Sequence, residues 1–315
     1  MPANAIEIEK LSYSYAGNWG WKKRVAVQKF SLQVIEGESF GFLGHNGAGK
    51  TTTIKCILDL VRPTTGSVAI FGVDSKNPNA RASLGYIPEH PYFYDNLSVR
   101  ESLCMYAQLS GLKGVKLNTS LDETISRVGL MEKQHSPLRS LSKGLTQRLA
   151  LAQAIIAAPR LLILDEPFSG LDPLGRKEFR DIFFGLKSKG TTLFMSSHIL
   201  SDVEYLCDKV SVMVRGELKG IFTVREIPRL SGARYELVVR DALKCEAEIC
   251  KLSEKVMRND NFLQLTFNDR SKAEAALRCA LDGSAGIESF ELVQGGLEEL
   301  FVKIVKGESV GGGER

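Results

Sequence analysis

Gly44-His45-Asn46-Gly47-Ala48-Gly49-Lys50-Thr51 is the stretch on which the fold turns. It fits G-x-x-x-x-G-K-S/T. It stands between an apolar run, Ser39 to Leu43, and a segment from Thr51 to Leu60 whose Ile54, Ile57 and Leu58 share one helical face. Pro63 and Gly66 close that segment. A strand, a glycine-rich turn and a helix in that order let backbone N–H groups converge on a phosphate at the positive end of the helix. Lys50 is then the residue that reaches the β and γ phosphates, and Thr51 offers a hydroxyl to Mg²⁺, a cation that prefers hard oxygen ligands. The candidate phosphate contacts are Gly44, Asn46, Gly47, Ala48, Gly49, Lys50, Thr51 and Thr52.

Such a site needs a carboxylate across the sheet. Leu161 to Leu164 reads as a buried strand that runs straight into Asp165 and Glu166, the first suited to hold the metal and the second to polarise a water against the γ-phosphate. Arg176 to Lys189 reads as a helix and Thr191 to Ser196 as a further strand. Strands alternating with helices predict an α/β core over the first 220 residues or so. Within it, Ser98 to Ala158 is mostly helical and opens on Ser98 three residues before Glu101, the spacing of a capping box. Past about Gly220 the pattern changes, with Pro228, Ser231 and Gly232 marking a boundary. Strand 235–240, helix 242–252, a hairpin over 256–267 turning at Asn259-Asp260-Asn261, helix 271–281 and strand 287–293 make βαββαβ, a small ferredoxin-like order followed by a helix at 297–305. The glycine-rich tail 307–315 is expected to be disordered.

The 315 residues, 43% apolar and 25% charged, suit a large core with an appendage and exclude fibrous or low-complexity chains. Gly190 to Ser201 is the longest run free of Asp, Glu, Lys and Arg, well short of the roughly 20 residues that cross a bilayer. The opening MPANAIEIEK lacks the basic-then-apolar order of a secretion signal, so a cytoplasmic protein is expected. A net charge of +4 is too small to mark a nucleic-acid binder. Six cysteines form no C-x-x-C pair. Cys245 and Cys250 lack a second ligand pair at zinc spacing, which favours plain thiols.

Between the two phosphate-site elements lies Leu141-Ser142-Lys143-Gly144-Leu145, followed by Gln147-Arg148. With it the chain resembles the ATP-binding cassette (ABC) family over about residues 5 to 222, since these residues look like that family's signature motif. The resemblance implies ATP and Mg²⁺ as cofactors, with Thr51, Asp165 and Glu89 toward the metal and Lys50, Glu166 and His198 as the catalytic set. Tyr15 resembles the aromatic that stacks on adenine, with Trp19 or Trp21 as alternatives. Glu89, in Gly85-Tyr86-Ile87-Pro88-Glu89, stands where the family usually has glutamine. Ser169-Gly170-Leu171-Asp172-Pro173 is similar to the loop that crosses the dimer interface, and Asp172 also suits a helix N-cap ahead of Pro173. Ser142 and Gly144 of one copy are implied to cap the γ-phosphate held by a second copy, head to tail. Lys143 and Leu145 depart from the usual glycine and glutamine.

The architecture so implied is an α/β P-loop NTPase core of ABC ATPase type over 1–225, with a helical subdomain at about 90–158. A small α+β, ferredoxin-like accessory domain follows over 233–306, and its likeness rests on Gly296-Leu297-Glu298-Glu299-Leu300-Phe301. The implied function is an ATP-hydrolysing subunit, peripheral on the cytoplasmic face of the membrane, that powers a separate permease, with export favoured by the branch these variants resemble. His90-Pro91-Tyr92-Phe93-Tyr94 concentrates aromatics for permease docking or for buried packing. The competing class is a non-transport ATPase of the same fold, serving DNA repair or translation. Such proteins carry long coiled-coil arms or two cassettes in one chain, and neither is seen in this sequence.

Overall fold

The structure is a computed structural model, and it describes residues 3–16, 24–242, 245–259 and 261–307. Trp19, Trp21, Asp260 and the tail from residue 308 lie outside the described residues. Contacts divide the chain into two compact units, one through Val224 and one from Arg225.

The first unit opens with strands β1 (Asn4–Tyr15), β2 (Arg24–Ile35) and β3 (Ser39–Leu43), followed by helix α1 (Lys50–Ile57). Next come β4 (Thr65–Ile70), β5 (Val73–Asp74), β6 (Leu84–Ile87) and the helices α2 (Val99–Leu109), α3 (Gly114–Arg127) and α4 (Lys143–Ile155). It finishes with β7 (Leu161–Asp165), α5 (Pro173–Ser188), β8 (Thr192–Ser197), α6 (Leu200–Leu206), β9 (Lys209–Val214) and β10 (Glu217–Thr223). One sheet has the order β10-β9-β3-β8-β7-β6, parallel throughout except for the antiparallel edge pair β9 and β10. Its inner strands β3, β7 and β8 are buried at every position, as expected when helices cover both faces. Phe40, Phe42 and Phe194 stack at the centre, with ring centroids 5.6 to 5.9 Å apart for the pairs made with Phe194.

A second sheet, β2-β1-β4-β5, is antiparallel and has no counterpart in the sequence reading. Its long strands β1 and β2 pair through several register shifts. Alternation of buried and open positions holds over Ile6 to Glu9 and Phe30 to Val34 and is interrupted at Glu9-Lys10 and Gln28-Lys29. Helix α1 also stops three residues short of the expected Leu60. Asp59 takes a left-handed conformation (φ 56°), and the N–H groups of Asp59 and Leu60 turn back to the carbonyls of Cys56 and Lys55, closing the helix as a glycine usually does.

The capping box forms at the start of α2: the Ser98 hydroxyl accepts from the Glu101 N–H, and the Glu101 carboxylate accepts from the Ser98 N–H at 2.8 Å. Just before it, the aromatic run divides. Phe93 is buried, edge-on to Tyr106 at 6.2 Å, whereas Tyr92 and Tyr94 are 86% and 60% exposed. Phe93 is therefore a packing residue and only its two neighbours face outward. Phe93→Ala should lower the melting temperature, by a loss of about 3–5 kcal/mol as for other buried Phe truncations, while Tyr92→Ala and Tyr94→Ala should leave it nearly unchanged. Thermal denaturation of the three variants checks this.

The second unit holds α7 (Ile227–Ser231), β11 (Ala233–Arg240), α8 (Glu246–Leu252), β12 (Lys255–Asn259), β13 (Phe262–Phe267), α9 (Arg270–Asp282), β14 (Gly286–Gln294) and α10 (Leu297–Lys306). Its antiparallel sheet has the order β12-β13-β11-β14, and β11 to β14 follow the β-α-β-β-α-β order. Leu237, Val239, Leu265 and Phe267 form its core against Ala273, Ala276 and Ala280 of α9, whose small side chains let the helix lie close to the sheet.

Candidate nucleotide site

The phosphate loop leaves the C-terminal end of β3, where ligands of open α/β sheets collect. Two glycines make its path possible. Gly47 has φ 80° and Gly49 has φ 112°, both in the left-handed region, and a Cβ on Gly49 would stand 2.5 Å from the Ala26 carbonyl oxygen. The loop borders a cavity of about 620 Å³. Tyr15, Asn46, Gly47, Gly49, Lys50, Thr51, Thr52, Glu89 and Glu166 line it. Gly44 and Ala48 support the loop from behind: Gly44 offers its carbonyl to Lys50, and Ala48, fully buried, ties the loop to Gly216.

Lys50 is buried, and its Nζ donates to Gly44 O at 2.6 Å while lying 3.3 Å from Glu166 Oε1. The other Glu166 oxygen, Oε2, is 2.8 Å from His198 Nδ1. Lysine, glutamate and histidine thus form one chain of contacts from the loop to the end of β8. Glu166 itself holds φ 50°, a left-handed conformation that costs a non-glycine residue about 1–2 kcal/mol and is concentrated at functional positions.

Asp165 is buried beside this chain. Its Oδ1 accepts from the Thr51 hydroxyl at 3.3 Å and from Ser196 Oγ at 2.5 Å. Burial pushes its carboxyl above the ordinary carboxylate range, and the two hydroxyl donors work against that rise. Among the described residues no cluster of three His, Cys, Asp or Glu is arranged to hold a metal. The Thr51 hydroxyl at the cavity wall, the Asp165 carboxylate bonded behind it and Glu89 facing the cavity suit Mg²⁺, which keeps several waters and takes the rest of its oxygens from phosphates. The Glu89 carboxylate is 3.8 Å from His90 Nε2.

Tyr15 is 40% exposed, its hydroxyl 3.1 Å from Thr52 Oγ1 and its ring edge-on to Tyr13. The half-exposed ring stands at the cavity wall. Ser142, Gly144 and Asp172 are elsewhere. Ser142 caps α4, accepting from the Leu145 N–H at 3.4 Å, with Gly144 in the first turn. Asp172 caps α5, accepting from the Gly175 N–H at 2.7 Å, with Pro173 at the first helical position. The sequence reading missed Arg24 and Arg215 at the cavity wall, and Ser196 behind Asp165. Arg215 follows the end of β9 at φ 51°, a turn position with no signal of its own in sequence.

The bacitracin transport ATP-binding protein BcrA of Bacillus licheniformis is 35% identical over 279 residues, which is 88% of this chain and 80% of BcrA. The chain belongs to the ABC transporter ATP-binding family. The ABC transporter family model matches residues 27–169 of the cassette. The ABC transporter ATP-binding protein sll0415 of Synechocystis is 40% identical over 219 residues, 69% of this chain but only 62% of that protein, so the match leaves over a third of that relative uncovered. A solved structure of the ATP-binding subunit of an ABC transporter superposes with a TM-score of 0.64 at 32% identity, over 71% of this chain and 92% of its own. The cassette's fold is therefore that of the ABC ATPases, a family whose cofactors are ATP and Mg²⁺. No helix among the described residues is long and apolar enough to cross a membrane.

Proposed function

We propose that the chain hydrolyses ATP as the motor subunit of an ABC transporter, pairing head to tail with a second copy and docking on a separate integral-membrane permease that works as an exporter. The observation that carries this reading is the run Lys50, Glu166, His198 at the mouth of the phosphate loop, beside an Asp165 already bonded to Thr51. Lys50 offsets charge on the β and γ phosphates, and Tyr15 stacks on the base. Glu166 accepts a hydrogen bond from the attacking water and orients it for in-line displacement, with His198 beside the γ-phosphate. Mg²⁺, held by Thr51 and Asp165 with Glu89 near, supplies positive charge against the phosphate oxygens.

Pairing is supported by where the remaining residues lie. Ser142, Gly144 and Asp172 sit outside the cavity that Lys50 lines, at helix starts with polar groups turned to solvent, and a second copy brings its own set to each cavity. Docking is supported by the exposed rings of Tyr92 and Tyr94, and with such a permease the chain works at the cytoplasmic face of the membrane. The unit from Arg225 is read as an accessory domain that steadies the pair.

Purified chain with Mg²⁺ and ATP is expected to release phosphate and to sediment as a pair only with nucleotide. Membranes carrying the permease should retain it, and Tyr92→Ala with Tyr94→Ala should reduce that retention. Absence of phosphate release would overturn the ATPase reading. Full activity on nucleic acid or ribosomes, with no retention on membranes, would overturn the transport reading in favour of a repair or translation ATPase.

A further inference from the structure

Neighbouring strands β7 and β8 run parallel in a register that sets Asp165 beside Ser196. Ser196 is fully buried and makes three contacts toward the catalytic pair. Its Oγ donates to Asp165 Oδ1 at 2.5 Å. The same Oγ accepts from the Glu166 N–H at 3.3 Å, and its carbonyl oxygen accepts from that N–H at 3.2 Å. A hydroxyl has one proton and two lone pairs, so one group can serve the carboxylate and the amide at once. Alanine would keep the carbonyl and lose both Oγ contacts.

We infer that Ser196 is a positioning residue that sets the metal carboxylate and the water-orienting carboxylate in register. Two features make this more than core filling. First, Asp165 Oδ1 has two hydroxyl donors, and the fully buried Ser196 makes the closer contact, 2.5 Å against 3.3 Å from Thr51. Partners of this kind fix the rotamer of a ligating carboxylate. Second, Glu166 holds a left-handed backbone, and its amide points at Ser196 alone among the residues bonded to it. Without Oγ that amide is held by the Ser196 carbonyl alone, at 3.2 Å, which loosens the strained backbone and with it the aim of the Glu166 side chain at Lys50 and His198. The inference rests on the ATPase reading above.

The test compares the wild-type chain with Ser196→Ala and Ser196→Thr, where threonine keeps the hydroxyl on a strand that favours β-branched residues. Mn²⁺ is the probe, titrated by electron paramagnetic resonance in the presence of a non-hydrolysable ATP analogue. Ser196→Ala is expected to weaken Mn²⁺ about 10- to 100-fold, the range seen when such supporting partners are removed. It should lower kcat at saturating metal while metal-free nucleotide affinity changes by less than about twofold, since Lys50 and the loop are untouched. Ser196→Thr should restore both values. Unchanged Mn²⁺ affinity and kcat in Ser196→Ala, or a lower melting temperature as its only effect, would overturn the inference. Failure of the wild-type chain to bind the analogue would overturn the ATPase reading instead.

Discussion

Lys50→Ala is expected to abolish retention of ATP and to cut turnover by about 100- to 1,000-fold, the scale of losing one preorganised charge at a developing anion. Two features set this size. Lys50 is almost fully buried, so its ammonium acts in a medium where a charge is worth far more than in water. It also neutralises Glu166 from 3.3 Å, and alanine leaves that buried carboxylate with His198 as its remaining partner. Loss of the lysine therefore removes an attraction for phosphate and leaves a repulsion in its place. Equilibrium dialysis with labelled ATP checks the first effect and a coupled phosphate assay the second. Retention of ATP at wild-type affinity would show that the cavity binds its ligand by another route.

The second large effect belongs to Glu166. Glu166→Gln keeps the shape of the side chain and its reach to His198, but removes the charge that aligns a water and frees Lys50 from its ion pair. Turnover is expected to fall by about 100- to 10,000-fold, the range for a positioned base, while affinity for ATP is kept or rises. On the proposed pairing, in which binding drives closure and hydrolysis permits opening, the variant should accumulate as a nucleotide-bound pair. Size-exclusion chromatography with ATP should show roughly doubled mass that persists, where the wild-type chain returns to single copies as ATP is consumed. Hydrolysis at the wild-type rate would remove Glu166 from the role of water-orienting residue.

How much of this was legible before the structure differs from element to element, for physical reasons. The phosphate loop is a local device: eight consecutive residues carry the turn, the donors and the charge, so the sequence displays it whole. The Asp165-Glu166 pair is nearly as plain, because two adjacent carboxylates closing the apolar run Leu161 to Leu164 are costly to bury without a purpose, and both are buried. Ser196 is different. Within Phe194-Met195-Ser196-Ser197 it reads as an ordinary strand residue, and its role exists only through a register between two strands some thirty residues apart. Phe93 was ambiguous because three consecutive aromatics have no period, and only the packing against Tyr106 separates the middle ring from its neighbours. The antiparallel sheet shows in sequence only as short alternating pieces, Ile6 to Glu9 and Phe30 to Val34, because charged or polar pairs at Glu9-Lys10 and Gln28-Lys29 interrupt each strand near its register shifts.

Helix α4 carries one further bond of consequence. Buried Gln147, five residues past Ser142, donates through Nε2 to the carbonyl of Pro167 at 2.9 Å, and Pro167 directly follows Glu166. Any slide of α4 must stretch that link or tug on the chain next to the glutamate. On the proposed pairing, a neighbour pressing on Ser142 at the head of α4 has this bond as its mechanical line to the carboxylate that holds the water.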